Sequence, residues 1–275
     1  MTIVVASPER TLGSRVGRSL ADWIPALVVF VLGIAAWEGA ISAFDIQQFL
    51  LPRPSDIVRT FFEQRDSLWS AGWYTFKEAL GGFALGSGAA IVFAIFVGRF
   101  QTLGRALMPV AIAANAIPII AFAPIFNAWF DPLSPNSKIA VAAVLCFFPV
   151  MVNALRGLTS VRPSSIELMR SYAAGELTIF RKLRAPTALP FVFSALKVAT
   201  VLAMIGAIVG EYFGGSQEAL GIQIKNSAAL FDFTTAWAAI MVASLLGIAF
   251  YAAVTTVEHF ALKWDPTRQE ERGSA

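Results

Sequence analysis

Charged residues are scarce in this chain. Asp, Glu, Lys and Arg make up 14% of its 275 residues, against about 25% in soluble globular domains. Apolar residues account for 57% of the sequence, the mean hydropathy is +0.67, and apolar runs of about 20 residues, the length that crosses a bilayer, recur. A soluble protein of this length would expose too much apolar surface. The sequence therefore predicts an all-α, polytopic membrane protein.

Residues that carry catalysis or bind metals are equally few. A single cysteine, Cys146, excludes an intrachain disulfide, and a single histidine, His259, excludes a His-rich metal site. The phosphate-binding pattern G-x4-G-K-[ST] and the hydrolase patterns H-E-x-x-H and G-x-S-x-G do not occur. We therefore expect no enzyme activity and no bound cofactor or metal, and any ATP that drives transport should be bound by another polypeptide.

Intramembrane acid–base chemistry is also not predicted. Proton-driven carriers use paired carboxylates inside the membrane, and no such pair is evident in the apolar runs. Glu38, Lys197 and Glu211 all fall near the ends of predicted spans. Glu38 is interpreted as reaching the head-group region or packing inside the bundle, and Lys197 as extending its ammonium group to the inner interface.

Hydropathy predicts about six transmembrane helices between a polar segment at 1–22 and a charged tail at 261–275. The predicted spans are 23–44, 76–97, 106–130, 139–155, 189–209 and 235–257 within a transmembrane domain at 23–260. Residues 45–75 are predicted to form an external loop with a short helix at 55–62, and residues 211–234 a polar outer loop. Gly82 and Gly86 lie four residues apart, a spacing that lets two helices approach closely.

The third span differs from the others because three prolines interrupt it. Proline frees backbone carbonyl groups, which are tolerated at membrane depth where they line a protein cavity. An amide side chain in lipid is likewise costly unless it faces protein or water. A kinked helix that only packs against its neighbours explains the same pattern. The candidates for lining a transport pathway are Asn115, Pro118, Asn127 and Asn153.

The distribution of basic residues predicts the orientation. With the amino terminus inside, 14 of the 21 Lys and Arg fall in cytoplasmic segments and six in outer ones. Short cytoplasmic loops carry the excess of Lys and Arg, so both termini are predicted to lie in the cytoplasm of a prokaryotic cell, with the chain in its plasma membrane. The basic residues are spread by topology and accompany no base-stacking platform, which argues against nucleic acid as a partner.

The longest polar interruption, at 156–188, holds six Lys and Arg and is predicted to be cytoplasmic. Arg162-Pro163 ends the preceding helix, and Ser164 with Glu167 fits a capping box for the next. An apolar stripe follows at helical spacing, formed by Ile166, Met169, Ala173, Leu177 and Phe180. Gly175 weakens the middle, so one continuous helix and two short helices that meet at an angle remain alternatives. Such an element either lies in the membrane interface or docks into a partner.

These residues carry a resemblance to a known family. Glu167-Leu168-Met169, then Ala173, then Leu183-Arg184-Ala185-Pro186 resemble the E-A-A-x3-G-x9-I-x-L-P loop of the membrane subunits of binding-protein-dependent ATP-binding cassette (ABC) importers. Glu167 and Pro186 stand in register, while Ala173 replaces the motif's glycine; Gly175, two positions later, is interpreted as supplying the turn. The segments LPRPSDIV, IPIIAFAPIF and EYFGG are similar in style to the nitrate, sulfonate and taurine group.

The resemblance implies a type I ABC importer permease fold, a homodimer with the pathway on its symmetry axis, two cytoplasmic ATPase subunits and an external solute-binding protein. Glu167 would cap and orient the loop, and Ile166, Met169, Tyr172 and Phe180 would enter the ATPase. The full set of residues assigned to the ATPase-coupling loop is Ile166, Glu167, Met169, Arg170, Tyr172, Ala173, Gly175, Phe180 and Pro186.

The substrate and two other functional classes remain open at this point. The group resembled transports small oxyanions such as nitrate and sulfonates, and relatives transport heterocyclic vitamin precursors. The predicted pathway is apolar, rich in Phe and without an interior Arg, which argues against a dedicated anion site and leaves the substrate open. An ATP-independent carrier or channel would require a charged relay inside the membrane, and a membrane-embedded enzyme would require a catalytic group.

Overall fold

The computed structural model describes residues 12–114 and 118–263, and the regular secondary structure in these ranges is helical. The α-helices in chain order are α1 Leu12–Ala43, α2 Pro54–Glu63, α3 Arg65–Arg99, α4 Gln101–Ala114, α5 Ala123–Phe130, α6 Pro135–Thr159, α7 Pro163–Ser171, α8 Glu176–Ile179, α9 Ala185–Phe213, α10 Leu220–Ala229 and α11 Phe233–Ala261. A 3₁₀ turn at Ile119–Phe122 precedes α5, and a π-helical turn at Phe180–Arg184 joins α8 to α9.

Five helical stretches in the described residues are long and apolar enough to cross a membrane. They are 24–43, 65–99, 135–159, 176–213 and 233–261, so the all-α polytopic fold is confirmed. The predicted third span, 106–130, is instead divided between α4, the 3₁₀ turn and α5. At 14 and 8 residues, these two helices measure about 21 and 12 Å, and neither crosses a bilayer alone. The prediction of a sixth span therefore stays a prediction.

Three long helices, α3, α6 and α9, form the centre of the bundle, with α6 packed between the other two. Glycine makes this packing close. A Cβ atom on Gly86 of α3 would overlap the carbonyl group of Ala143, and one on Gly206 of α9 would lie 2.6 Å from the Cα atom of Ala142. Both sides of α6 are thus in backbone contact with a neighbour. The predicted close approach at Gly82 and Gly86 is confirmed.

Polar contacts join α1 to α2, and an aromatic pair joins α1 to α11. The Glu38 carboxylate of α1 accepts hydrogen bonds from the backbone N–H and the hydroxyl group of Ser55 in the first turn of α2, at 3.1 and 2.7 Å. Trp37 packs edge to face on Trp237 of α11, with ring centroids 5.2 Å apart. Glu38 therefore stabilises the amino-terminal end of a neighbouring helix, as carboxylates do at helix N-termini.

Two predicted loops contain more helix than predicted, and Lys197 has a partner that the sequence did not predict. The short helix at 55–62 exists as α2, but residues 65–75 of the predicted external loop are already part of α3, and the predicted loop 211–234 contains α10. Lys197 is predicted to reach the inner interface, and its Nζ atom lies 2.8 Å from Oε2 of Glu258, three residues before the end of α11. Its side chain is 21% exposed and that of Glu258 5%, so this ion pair joins two spans inside the protein.

Candidate functional site

The polar segment between α6 and α9 begins with a sharp reversal. Arg162 is extended, at φ −61° and ψ 132°, and Pro163 is the first residue of α7. Proline is favoured at that position, where its missing N–H would lack an intrahelical partner anyway. Because the helix starts one residue before Ser164, that side chain lies inside the first turn and α7 has no side-chain cap. The predicted capping box of Ser164 and Glu167 is therefore wrong.

The end of α7 is a Schellman motif centred on Ala173. The N–H of Ala174 donates to the carbonyl of Met169 at 3.0 Å, and the N–H of Ala173 donates to that of Arg170 at 2.9 Å. Ala173 adopts the left-handed conformation, with φ 56°, which this motif requires and which usually falls to glycine. Gly175 is extended, with φ −69° and ψ 160°. The bend lies where it was predicted, but Ala173 makes the left-handed turn and Gly175 does not.

Two short helices, α7 and α8, flank this turn, so the angled alternative is the correct one. The guanidinium of Arg170 in α7 lies 2.8 Å from the carboxylate of Glu176 in α8 and bridges the bend. After Ile179 the chain makes the π-helical turn Phe180–Arg184, and Pro186 occupies the first turn of α9. Proline removes an N–H donor and crowds the carbonyl of the preceding turn, and wider turns accommodate such interruptions. The π turn is thus a local consequence of Pro186.

The bend divides the predicted apolar stripe: Leu177 is exposed, whereas Ile166, Met169 and Phe180 are half-buried. Tyr172 at the tip is 79% exposed, and Leu168 and Leu177 are 58% and 63% exposed. Ile179 is completely buried, and Phe180 packs against the core of the bundle. Phe180 was expected to enter a partner, but it anchors the segment to its own chain. The segment therefore has an exposed, apolar tip, formed by Leu168, Tyr172 and Leu177, and a buried root, formed by Ile179 and Phe180.

Two cavities lie between this segment and the bundle. A cavity of about 1030 Å³ is bounded by the end of α3, by α4, by the end of α6 and by α7, where Ile166, Glu167 and Arg170 contribute to its wall. A smaller one of about 520 Å³ lies on the side of α8 and includes Phe180 and Glu176. Arg184 lines both. The segment thus covers open space rather than a close-packed surface.

The candidate pathway residues do not converge. Asn115 lies outside the described residues. Pro118 is exposed and accepts a hydrogen bond from the N–H of Ala121 in the 3₁₀ turn. Asn153 donates to the carbonyl of Pro149 one turn earlier in the same helix, at 2.9 Å. Asn127 is 4% exposed and packs beside Gly214. That these residues line a transport pathway remains a prediction.

A second polar site, which the sequence did not predict, lies at the opposite end of the bundle. Glu78 of α3 is 3% exposed, and Glu211 of α9 and Lys138 of α6 are 0% and 1% exposed. The Glu211 carboxylate accepts a hydrogen bond of 2.8 Å from the N–H of Gly221 in α10. The ammonium group of Lys138 donates to the carbonyls of Pro132 and Ser134. The statement that paired carboxylates are absent from the spans is therefore wrong.

A signal for this site was present in the sequence. Glu78 lies four residues before Gly82 and eight before Gly86, so all three share one helix face. A face that buries two glycines against another helix also buries the carboxylate in line with them. The spacing of Glu78, Gly82 and Gly86 along one helix face therefore predicts that Glu78 is buried.

Comparison with known proteins identifies related chains. The model of the family described as "Binding-protein-dependent transport system inner membrane component" matches residues 86–261. The chain is 36% identical to the formylaminopyrimidine transport permease protein ThiX of Halalkalibacterium halodurans, over 86% of this chain and 93% of that protein. It is 30% identical to the riboflavin transport system permease protein RibX of Chloroflexus aurantiacus, over 89% and 92%. Identity to the putative aliphatic sulfonates permease SsuC of Bacillus subtilis is 26%, over 90% of both chains.

Proposed function

The chain belongs to the family of inner-membrane components of binding-protein-dependent transport systems, and we propose that its segment 163–185 is the element that couples it to a cytoplasmic ATPase. The protein is a permease subunit of an ABC importer for a small solute. Its family is a transport family and not an enzyme family. Membership favours the importer over the ATP-independent carrier or channel.

The exposed tip of the segment carries the coupling proposal. Tyr172, Leu168 and Leu177 present apolar surface beyond the end of the bundle, while Ile179 and Phe180 hold the root inside it. The Schellman motif and the Arg170–Glu176 ion pair fix the angle between tip and root. A tip of this size buries only a few hundred Å², below the roughly 1,000 Å² expected of a stable interface. A second permease copy that contributes a second tip supplies the difference.

The assembly that follows has three kinds of partner. We propose a homodimer of this chain, two ATPase subunits on the side of segment 163–185 and an external solute-binding protein on the side of α10. The positive-inside excess, 14 basic residues against six, supports cytoplasmic termini. On ATP binding, the two tips approach and the spans change between inward- and outward-open arrangements, as in other domain closures.

The substrate proposed is a heterocyclic vitamin or vitamin precursor rather than an inorganic oxyanion. The relatives at 36% and 30% identity are named for formylaminopyrimidine and riboflavin transport, and the sulfonate relative has 26%. The 3₁₀ turn and α5 are apolar and aromatic, with Phe122, Phe126 and Trp129 in successive ring contacts. Flat heterocycles stack favourably on aromatic rings. Uptake of labelled formylaminopyrimidine and taurine by cells that express the complete importer compares the two classes, and preferential taurine uptake would refute this assignment.

The coupling proposal is tested by charging the exposed tip. The double variant Leu168→Asp/Tyr172→Asp should insert and purify like the wild type but should lose the ATPase during affinity purification, because apolar contacts are replaced by desolvated carboxylates. The matched control is Leu230→Asp/Phe231→Asp, which changes two equally exposed residues at the opposite end and should retain the ATPase. Retention of the ATPase by the first variant would show that the tip is not the contact.

A further inference from the structure

The buried cluster at the far end of the bundle has one more acidic group than it has cations. Glu78 and Glu211 lie within each other's electrostatic field, and Lys138 is close to both. All three side chains are at least 97% buried. With every group ionised, the cluster would hold a net negative charge out of contact with water, which proteins avoid by changing the protonation state of a group.

The hydrogen bonds show which carboxyl group is the ionised one. Oε2 of Glu211 accepts from the N–H of Gly221, the second residue of α10, and the N-terminus of a helix favours a negative charge. No N–H or O–H group among the described residues donates to either oxygen of Glu78. Its contact is with the carboxyl group of Glu211, and two carboxyl groups form a hydrogen bond only if one of them carries a proton. An ionised Glu78 would thus be the least compensated group of the cluster.

We propose that the cluster is a proton-binding site, in which Glu78 carries a proton at neutral pH and Lys138 neutralises the ionised Glu211. The bound ligand is a single proton taken from water, and its loss leaves two carboxylates competing for one ammonium group. This proposal holds whether or not segment 163–185 binds an ATPase, because the two sites lie at opposite ends of α6 and α9.

Other charged and titratable groups around the cluster do not supply the missing counter-charge. Tyr74 and Lys77 flank Glu78 on α3, and Asp131 lies near Lys138 in the turn before α6. The ammonium group of Lys138 is already directed at the carbonyls of Pro132 and Ser134. Lys77 is followed by Glu78 on the helix, so the two side chains point in different directions.

The position of the proton has a structural consequence for α10. Its first two N–H groups are held from outside the helix: the hydroxyl of Thr75 on α3 accepts from Leu220 at 3.1 Å, and Glu211 on α9 accepts from Gly221. Loss of the proton from Glu78 places a second negative charge beside Glu211 and Thr75. Repulsion then separates α3 from α9 and removes the two caps of α10. Proton occupancy therefore keeps this end of the bundle closed.

Infrared spectroscopy of the purified permease in lipid nanodiscs tests the proposal directly. The wild type should show a protonated-carboxyl C=O band at neutral pH, which Glu78→Gln removes and which Glu63→Gln, an exposed carboxyl on α2, leaves unchanged. Glu211→Gln should also lose the band, because Lys138 can then neutralise an ionised Glu78. Absence of the band from the wild type at neutral pH would overturn the proposal without recourse to any variant.

Thermal unfolding as a function of pH provides an independent measurement. A group that is protonated in the folded state contributes stability that is lost as the pH rises, so the melting temperature of the wild type should fall between neutral and mildly alkaline pH. Glu78→Gln, a neutral mimic of the protonated side chain, should abolish this fall. If the wild type loses stability only on acidification, or if Glu78→Gln keeps the alkaline fall, Glu78 is ionised and the proposal is wrong.

Discussion

The left-handed conformation of Ala173 leads to a prediction whose magnitude follows from the structure. A residue with a Cβ atom in this region is strained by about 1–2 kcal/mol, and Ala173 has φ 56°. Ala173→Gly removes that strain and also restores the glycine of the importer motif. Glycine has a more flexible unfolded state, which costs about 0.5–1 kcal/mol. The net effect should be a stabilisation of the end of α7 by about 0–1.5 kcal/mol.

The neighbouring alanine offers a matched control. Ala174 is the next residue of the same turn and has no positive φ, so Ala174→Gly carries the entropic cost of glycine without any relief of strain. Both variants delete one methyl group. The difference between the two variants therefore isolates the left-handed strain, and Ala173→Gly should be the more stable by about 1–2 kcal/mol.

Hydrogen–deuterium exchange measures this difference where it arises. The N–H groups of Ala173 and Ala174 close the Schellman motif by hydrogen bonds to Arg170 and Met169, and they exchange when the motif opens. A difference of about 1–2 kcal/mol changes the open population by a factor of roughly 5–30, with slower exchange at the end of α7 in Ala173→Gly. Equal exchange in the two glycine variants would refute the left-handed conformation of Ala173.

Three further substitutions test the helix packing and the polar contacts of the bundle. Gly86→Leu should destabilise the protein by about 3 kcal/mol, because a side chain at this position meets the backbone of Ala143. The control is Gly88→Leu, which should leave the melting temperature in detergent unchanged because a side chain there has open space. Glu258→Gln should lower the melting temperature, since loss of one partner of a buried ion pair costs about 3–5 kcal/mol. The double variant Lys197→Met/Glu258→Leu should regain most of the lost stability, and failure to regain it would show that the loss does not come from breaking the ion pair. Ser55→Ala should cost about 1 kcal/mol by removing the 2.7 Å hydrogen bond to Glu38, and an unchanged melting temperature would argue against that contact.

Hydropathy predicted where the membrane lies but not where the helices end. The predicted second span begins at residue 76, whereas α3 begins at Arg65. Over the first turns of α3, Leu68, Ala71 and Gly72 are buried while Trp69 and Trp73 are exposed, so this part is stabilised by one apolar face and needs no continuous apolar run. A hydropathy window as long as a bilayer-spanning helix detects only segments that are apolar throughout. It misses this extension, because outside the lipid a helix needs apolar residues only on the face that packs against the protein.

The candidate site shows the limits of local sequence reasoning at single residues. A bend near 173–175 was predictable because glycine interrupts helices, but assignment of the turn to Gly175 followed its intrinsic preference. In the structure two backbone hydrogen bonds of the Schellman motif hold Ala173 in the left-handed region. Phe180 was likewise assigned to a partner from its spacing. The π turn rotates it towards the core of its own bundle, and the sequence pattern does not reveal that rotation.

The packing of α6 determines how the two ends of the molecule communicate. Gly206 places α9 against the backbone of Ala142, and Gly157 would place a Cβ atom 2.8 Å from the Cα atom of Ala188, so α6 and α9 touch near both ends and cannot slide without a clash. Close-packed interfaces of this kind move as rigid units. The turn at Ala173 and the π turn at Phe180–Arg184 both lie outside this rigid pair. Because the Schellman motif and the Arg170–Glu176 ion pair hold the first of these turns, we expect a displacement of the exposed tip to move α6 and α9 together, and with them Lys138 and Glu211 relative to Glu78 on α3.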